Sequence, residues 1–116
     1  MQELSKVLID SEIVDVVVAT NSYPNASISS GTMIEDENAL AGMTGRALKP
    51  ISLGVVKQLH DLLSDKIAII GCGGIATPAD VDDYIRAGAT AVQVATILVD
   101  EGLEVFQTLT TSKQLP

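Results

Sequence analysis

Ile69-Ile70-Gly71-Cys72-Gly73-Gly74-Ile75 is the stretch that decides the fold. An apolar β-branched run ends in three glycines within four residues. This predicts a buried strand entering a loop whose backbone N–H groups can approach an anion, with no Cβ in the way. A second apolar run, Ala91-Val92-Gln93-Val94-Ala95, stops at Thr96. Two neighbouring parallel strands would then aim their C-terminal loops at one ligand, as a phosphate clamp.

The chain has 116 residues, the size of one ordinary domain, so residues 1–116 are read as a single globular unit. Its 47% hydrophobic content is mainly Ala, Val, Ile and Leu, with no Trp, one Phe and two Tyr. That palette suits buried parallel strands and packed helices, and it argues against recognition by aromatic stacking. A net charge of −8 without any Lys/Arg cluster excludes a nucleic-acid partner, which needs a basic stripe. The single cysteine, Cys72, rules out an intrachain disulfide and a cysteine-based zinc site. With no signal peptide and no span of 18 apolar residues, the expectation is a cytoplasmic protein with no membrane span. Asn25-Ala26-Ser27 matches a glycosylation sequon, but without secretion the match is chance.

Working outward, Leu4, Val7 and Leu8 at helical spacing predict an amphipathic helix over 2–11. Residues 13–19 form a near-continuous apolar run broken only by Asp15, a buried strand that delivers Thr20-Asn21-Ser22 at its exit. Residues 23–51 are rich in Ser, Asn, Gly and Pro, far longer than an ordinary βα connection, and are expected to form a ligand-covering loop. Ser52 is the expected N-cap of a helix reaching Leu63, followed by a strand over 67–70. Thr77-Pro78-Ala79-Asp80 carries a capping signature for a helix ending at Gly88. A strand over 91–95 and a helix over 103–110 complete the order α, β, long loop, α, β, α, β, α.

Such alternation implies a parallel sheet with helices outside. Three strands this apolar leave two unpaired edges and one open face, so the expected fold is α/β, the C-terminal portion (about three βα units) of a TIM (β/α)8 barrel. In that architecture the loops after strands seven and eight frequently bind phosphate.

Several residue groups together resemble the C-terminal three-eighths of dihydroorotate dehydrogenase. They are Thr20-Asn21-Ser22, Gly42, Thr44-Gly45-Arg46-Ala47-Leu48-Lys49-Pro50, residues 69–75, Ala87-Gly88-Ala89 and Val92-Gln93-Val94-Ala95-Thr96. Their order and spacing carry the resemblance, which covers essentially the whole chain. It implies an FMN-dependent barrel oxidising dihydroorotate to orotate in pyrimidine biosynthesis. Asn21 and Ser22 would contact the substrate, an amide offering both donors and an acceptor to an orotate edge. Gly45 would approach the flavin from the long loop. Gly73, Gly74, Ala95 and Thr96 would bind the FMN phosphate through backbone N–H groups, aided by the start of a short helix after Thr96. The family's Ser or Cys base and its flavin-contacting lysine would precede Met1, so no catalytic residue is expected within the chain. On that reading the chain alone neither retains FMN nor turns over substrate. The Tyr23-Pro24-Asn25 continuation departs from the commonest family versions and leaves the electron acceptor open.

Blander roles suit other residues. Cys72 reads as strand-end packing, and His60 as a solvated or edge-packed helix flank. Glu35-Asp36-Glu37 reads as a solvated charge run, so no metal is expected. Two other functions share the glycine loop or the open edges. One is another phosphate-binding barrel enzyme, similar to IMP dehydrogenase or thiamine-phosphate synthase. The other is a non-catalytic half-barrel that self-associates, and exposed edges make a homo-oligomer the expected state in either case.

Overall fold

The computed structural model describes residues 1–27 and 40–111. Helix α1 (Gln2–Ser11) leads into strand β1 (Val16–Ala19), and strands β2 (Tyr23–Ala26) and β3 (Ala41–Met43) form an antiparallel pair. A 3-10 turn, Arg46–Leu48, runs directly into α2 (Lys49–Leu63). Then follow β4 (Ala68–Cys72), α3 (Pro78–Arg86), β5 (Ala91–Gln93), α4 (Thr96–Glu101), a second 3-10 turn and α5 (Val105–Leu109).

The three apolar runs form one parallel sheet in the order β1-β4-β5. Its register pairs Ala19 with Gly71, and Cys72 with Gln93, so all three strands end at the same edge of the molecule. This is the expected α/β architecture, three βα units of the kind found in the C-terminal portion of a (β/α)8 barrel.

Strand parity divides the sheet cleanly, because side chains alternate between faces and registered neighbours share one. Ala19, Ile69 and Gly71 face the helices and are buried, while Val16 and Val18 on the opposite face are 47% and 54% exposed. The expectation that residues 13–19 are buried throughout is therefore corrected: nothing among the described residues covers the second face, and Ile13 is outside the strand and exposed. On the covered face α2 contributes Val56, Leu59 and Leu63, α3 contributes Val81 and Tyr84, and α5 contributes Val105 and Leu109.

Other expectations shift in register. Helix α1 forms as expected, but Leu4 and Val7 are exposed, and its inward face is Ser5, Leu8 and Ile9, another i, i+3, i+4 set. The predicted loop over 23–51 is partly structured: its ends pair as β2 and β3, with Tyr23 opposite Met43. Residues 28–39, including Glu35-Asp36-Glu37, lie outside the described residues.

Ser52 is not an N-cap. Helix α2 starts four residues earlier, with Leu48 at the N-cap, because the Leu48 N–H already bonds to the Gly45 carbonyl, and Pro50, which has no N–H to satisfy, fits the first turn. The α3 capping signature is realised in full: the Asp80 N–H donates to Thr77 Oγ1, while Asp80 Oδ2 accepts from the Thr77 N–H at 2.8 Å. At the C-terminus α4 is the short helix expected after Thr96, and the helix expected over 103–110 is realised as a 3-10 turn, Gly102–Glu104, and the shorter α5; Gly102, with a φ of 69°, separates them from α4.

Candidate functional site

Because the three strands are parallel and in register, their exits are neighbours, as in α/β sites generally. They open into one cleft of about 270 Å³. From β1 come Thr20, Asn21 and Ser22; from β4, Gly73 and Gly74; from β5, Ala95 and Thr96. The fourth wall is Thr44-Gly45-Arg46, carried in by the β2–β3 pair. All seven residues singled out in the sequence (Asn21, Ser22, Gly45, Gly73, Gly74, Ala95 and Thr96) thus line the same cleft.

The glycines have a physical reason different from the one read in the sequence. A Cβ on Gly71 would run into the Tyr84 ring, and one on Gly73 into the Ser52 hydroxyl. A Cβ on Gly74 would lie 2.8 Å from both the Gly45 carbonyl oxygen and the Lys49 nitrogen. Gly73 and Gly74 also hold φ of 138° and 68°, where side chains are strained. These residues are glycine so that the loop can close tightly against α2, α3 and the Gly45 turn. Gly42 does the same for the hairpin, where a Cβ would meet the Ser22 side chain.

Behind the cleft wall lies a layer of hydroxyl groups. The Thr20 N–H donates to the Cys72 carbonyl at 2.7 Å, and Thr20 Oγ1 lies 2.6 Å from Ser52 Oγ. Tyr84, buried completely, donates its hydroxyl to the Gly73 carbonyl at 2.7 Å. Burial pushes its phenol pKa up, with the Ser52 hydroxyl working the other way. Tyr84 was not singled out in the sequence, and Ser52 was read only as a helix cap; its place among the apolar positions of the α2 stripe was the available signal for a buried hydroxyl. At the mouth, Asn21 Oδ1 accepts the Ser22 N–H at 2.7 Å and its side chain is exposed, so its amide NH2 group is presented outward from a turn it helps to hold.

An ion-pair cluster anchors the loop's return into α3. Lys49 Nζ lies 2.5 Å from Asp80 Oδ1 and 2.6 Å from Asp83 Oδ2, and Asp83 also pairs with Arg86. Asp80 Oδ2 further accepts the Ala76 and Thr77 N–H groups, at 3.0 and 2.8 Å. Burial alone would raise the Asp80 carboxyl, but the Lys49 ammonium and these donors hold it below the ordinary aspartate range. Likewise burial pulls Lys49 down and the two carboxylates more than offset it, leaving its pKa above the usual lysine value. Cys72 lines the cleft as a thiol whose pKa burial raises, which disfavours a nucleophilic role. His60 lies at the opposite end of the sheet, packed over Gly88.

The donor set suits a phosphate group. Gly73 and Gly74 at one strand exit, Ala95 and Thr96 at another, and the cationic Arg46 all line the cleft, although Asp100 also lines it. Among the described residues no cluster of three or more His, Cys, Asp or Glu could hold a metal ion, and no helix is long and apolar enough to cross a membrane.

The family model for dihydroorotate dehydrogenase matches residues 2–114. This chain belongs to the dihydroorotate dehydrogenase family. A relative from Coxiella burnetii (strain Dugway 5J108-111), named dihydroorotate dehydrogenase (quinone), is 37% identical over 105 residues, covering 87% of this chain and 30% of its own length. The mitochondrial quinone enzyme of Schizosaccharomyces pombe is 37% identical over 102 residues, covering 88% of this chain and 23% of its own. A Streptococcus equi protein provisionally named dihydroorotate dehydrogenase A (fumarate) is 36% identical over 107 residues, covering 81% and 34%. The chain therefore spans about a third or less of the curated relatives it matches. Among solved structures, the family member from Eimeria tenella in complex with ferulenol superposes with a TM-score of 0.78 at 28% identity, covering 96% of this chain and 29% of that one.

Proposed function

We propose that this chain supplies the phosphate-binding and substrate-facing walls of a flavin site in which dihydroorotate is oxidised to orotate. The observation that carries this is the convergence of the three strand exits and the Gly45 turn on one cleft, in a chain of the dihydroorotate dehydrogenase family. Gly73, Gly74, Ala95 and Thr96 present main-chain N–H groups and one hydroxyl to the FMN phosphate, and Arg46 adds a cationic field. When bound, the flavin supplies the hydride acceptor. Asn21 and Ser22 hold the polar edge of dihydroorotate at the mouth of the β1 exit. Gly45 keeps the covering segment close to Gly74, which narrows the cleft and excludes water from it.

No general base is assigned within the chain, because Cys72 has its pKa raised by burial and the described residues lining the cleft offer no histidine. We therefore expect the isolated 116-residue chain to be colourless on purification and inactive in dye-coupled dihydroorotate oxidation, with only weak, millimolar affinity for FMN. Its two outer strands each have one neighbour among the described residues, which favours a homo-oligomer formed by strand-edge pairing.

Titration of 15N-labelled chain with FMN, followed by two-dimensional NMR, tests the site. FMN is expected to move the amides of Gly73, Gly74 and Thr96, and orotate the side-chain amide of Asn21. Ligand-induced shifts confined to the His60–Thr90 end, or none at millimolar ligand, would overturn the assignment, and a yellow, active preparation would overturn the expected inactivity.

A further inference from the structure

We propose that Tyr84 is a positioning residue for the anion site: from inside the core, its hydroxyl fixes the direction in which the Gly74 N–H is offered to a phosphate. The inference rests on the phosphate reading above and adds a residue that does not itself line the cleft.

The geometry follows from one hydrogen bond and the planarity of a peptide. Tyr84 Oη donates to the Gly73 carbonyl oxygen at 2.7 Å. That carbonyl and the Gly74 N–H belong to the same trans peptide unit, so they point in opposite directions within one plane. Tyr84 is 0% exposed and packed among the α3 and sheet side chains, so the carbonyl is drawn inward. The Gly74 N–H is thereby turned away from the core, at a residue that lines the cleft.

Without this bond, the plane keeps only its packing against Ser52, Lys49 and the Gly45 turn. Both flanking residues are glycines in left-handed φ, free to rotate as no other pair could. A flipped peptide would place a carbonyl oxygen where the donor belongs, and that oxygen would repel an anion. The neighbouring hydroxyl supports the same arrangement: Ser52 Oγ sits where a Gly73 Cβ would be, held 2.6 Å from Thr20 Oγ1. The Tyr84 ring, meanwhile, packs directly over Gly71. A Tyr84→Phe change keeps that ring and removes only the hydroxyl.

The test compares FMN, inorganic phosphate and riboflavin on the full chain by NMR titration, for the wild type and Tyr84→Phe. The variant loses the direction of one N–H bond to a charged group, so it is expected to weaken FMN and phosphate about tenfold or more. Riboflavin, which has no phosphate, is expected to bind both forms equally. A merely structural role for Tyr84 would weaken riboflavin as much as FMN, and that result would overturn the proposal. Equal FMN binding by both forms would also overturn it while leaving the phosphate reading intact. In the wild type alone, phosphate is expected to shift the Gly74 amide more than the Gly73 amide. The reverse order overturns the proposal without any variant, and silence of both amides defeats the phosphate reading and the proposal together.

Discussion

Asp80→Ala removes the residue on which the exit loop of β4 turns into α3, and its cost can be worked out from contacts. The carboxylate accepts the Thr77 N–H as half of a capping box, worth about 1 kcal/mol. It also accepts the N–H of Ala76, which is 7% exposed and would be left without that acceptor, at about 1 to 3 kcal/mol. The Lys49 pair adds at most about 1 kcal/mol, since Asp83 remains as its second partner. Together the loss is about 2 to 5 kcal/mol, or about 8 to 20 °C in melting temperature for a domain of this size. Urea unfolding at a series of pH values makes the reasoning testable. The Asp80 pKa is lower in the folded than in the unfolded chain, so its stabilisation is fully present above the unfolded pKa and is lost as pH falls through the folded one. The gap between wild type and variant should therefore be constant from pH 8 to 5 and shrink below about pH 4. A gap that persists undiminished to pH 2.5, or one below about 0.5 kcal/mol at pH 7, would refute the role given to the ionised carboxylate.

Two further outcomes follow from the same geometry. Gly73→Ala meets both a φ of 138° and the Ser52 hydroxyl, so it should cost about 3 kcal/mol or more by urea unfolding. Adding Ser52→Gly should return only part of that, whereas an unchanged midpoint for the single variant would show that the loop is looser than described. The Cys72 thiol, whose pKa burial raises, should react with iodoacetamide several-fold more slowly than free cysteine at pH 7.5 and gain rate as pH is raised; parity with the free thiol would contradict its burial.

The alternation of apolar runs with capped, amphipathic segments made the parallel sheet legible, because period-2 and period-3.6 patterns are local properties of the chain. Thr77 and Asp80 named the start of α3 for the same reason: a capping box is built from side chains three residues apart. The cleft residues were legible mainly through the family resemblance. What stayed hidden was non-local. Ser52 looks like a cap until the Gly45–Leu48 turn is seen to start the helix earlier. The glycines of the 71–74 loop looked like ligand clearance, yet each answers to a side chain or backbone atom that arrives from far along the sequence. The Tyr84 hydroxyl could not be matched with Gly73 without knowing how α3 leans on β4. The inward face of α1 was missed because Ser5, a polar residue, sits at its centre.

The uncovered sheet face has a colloidal consequence. Val16 and Val18 offer sticky hydrocarbon beside backbone that can pair with another chain, and what restrains aggregation is mutual repulsion between molecules carrying a net charge of −8. Dispersion of this protein is thus electrostatic in origin. It should fail as the medium is acidified toward the isoelectric point near 4.3, or as added salt shortens the range over which like-charged molecules keep apart.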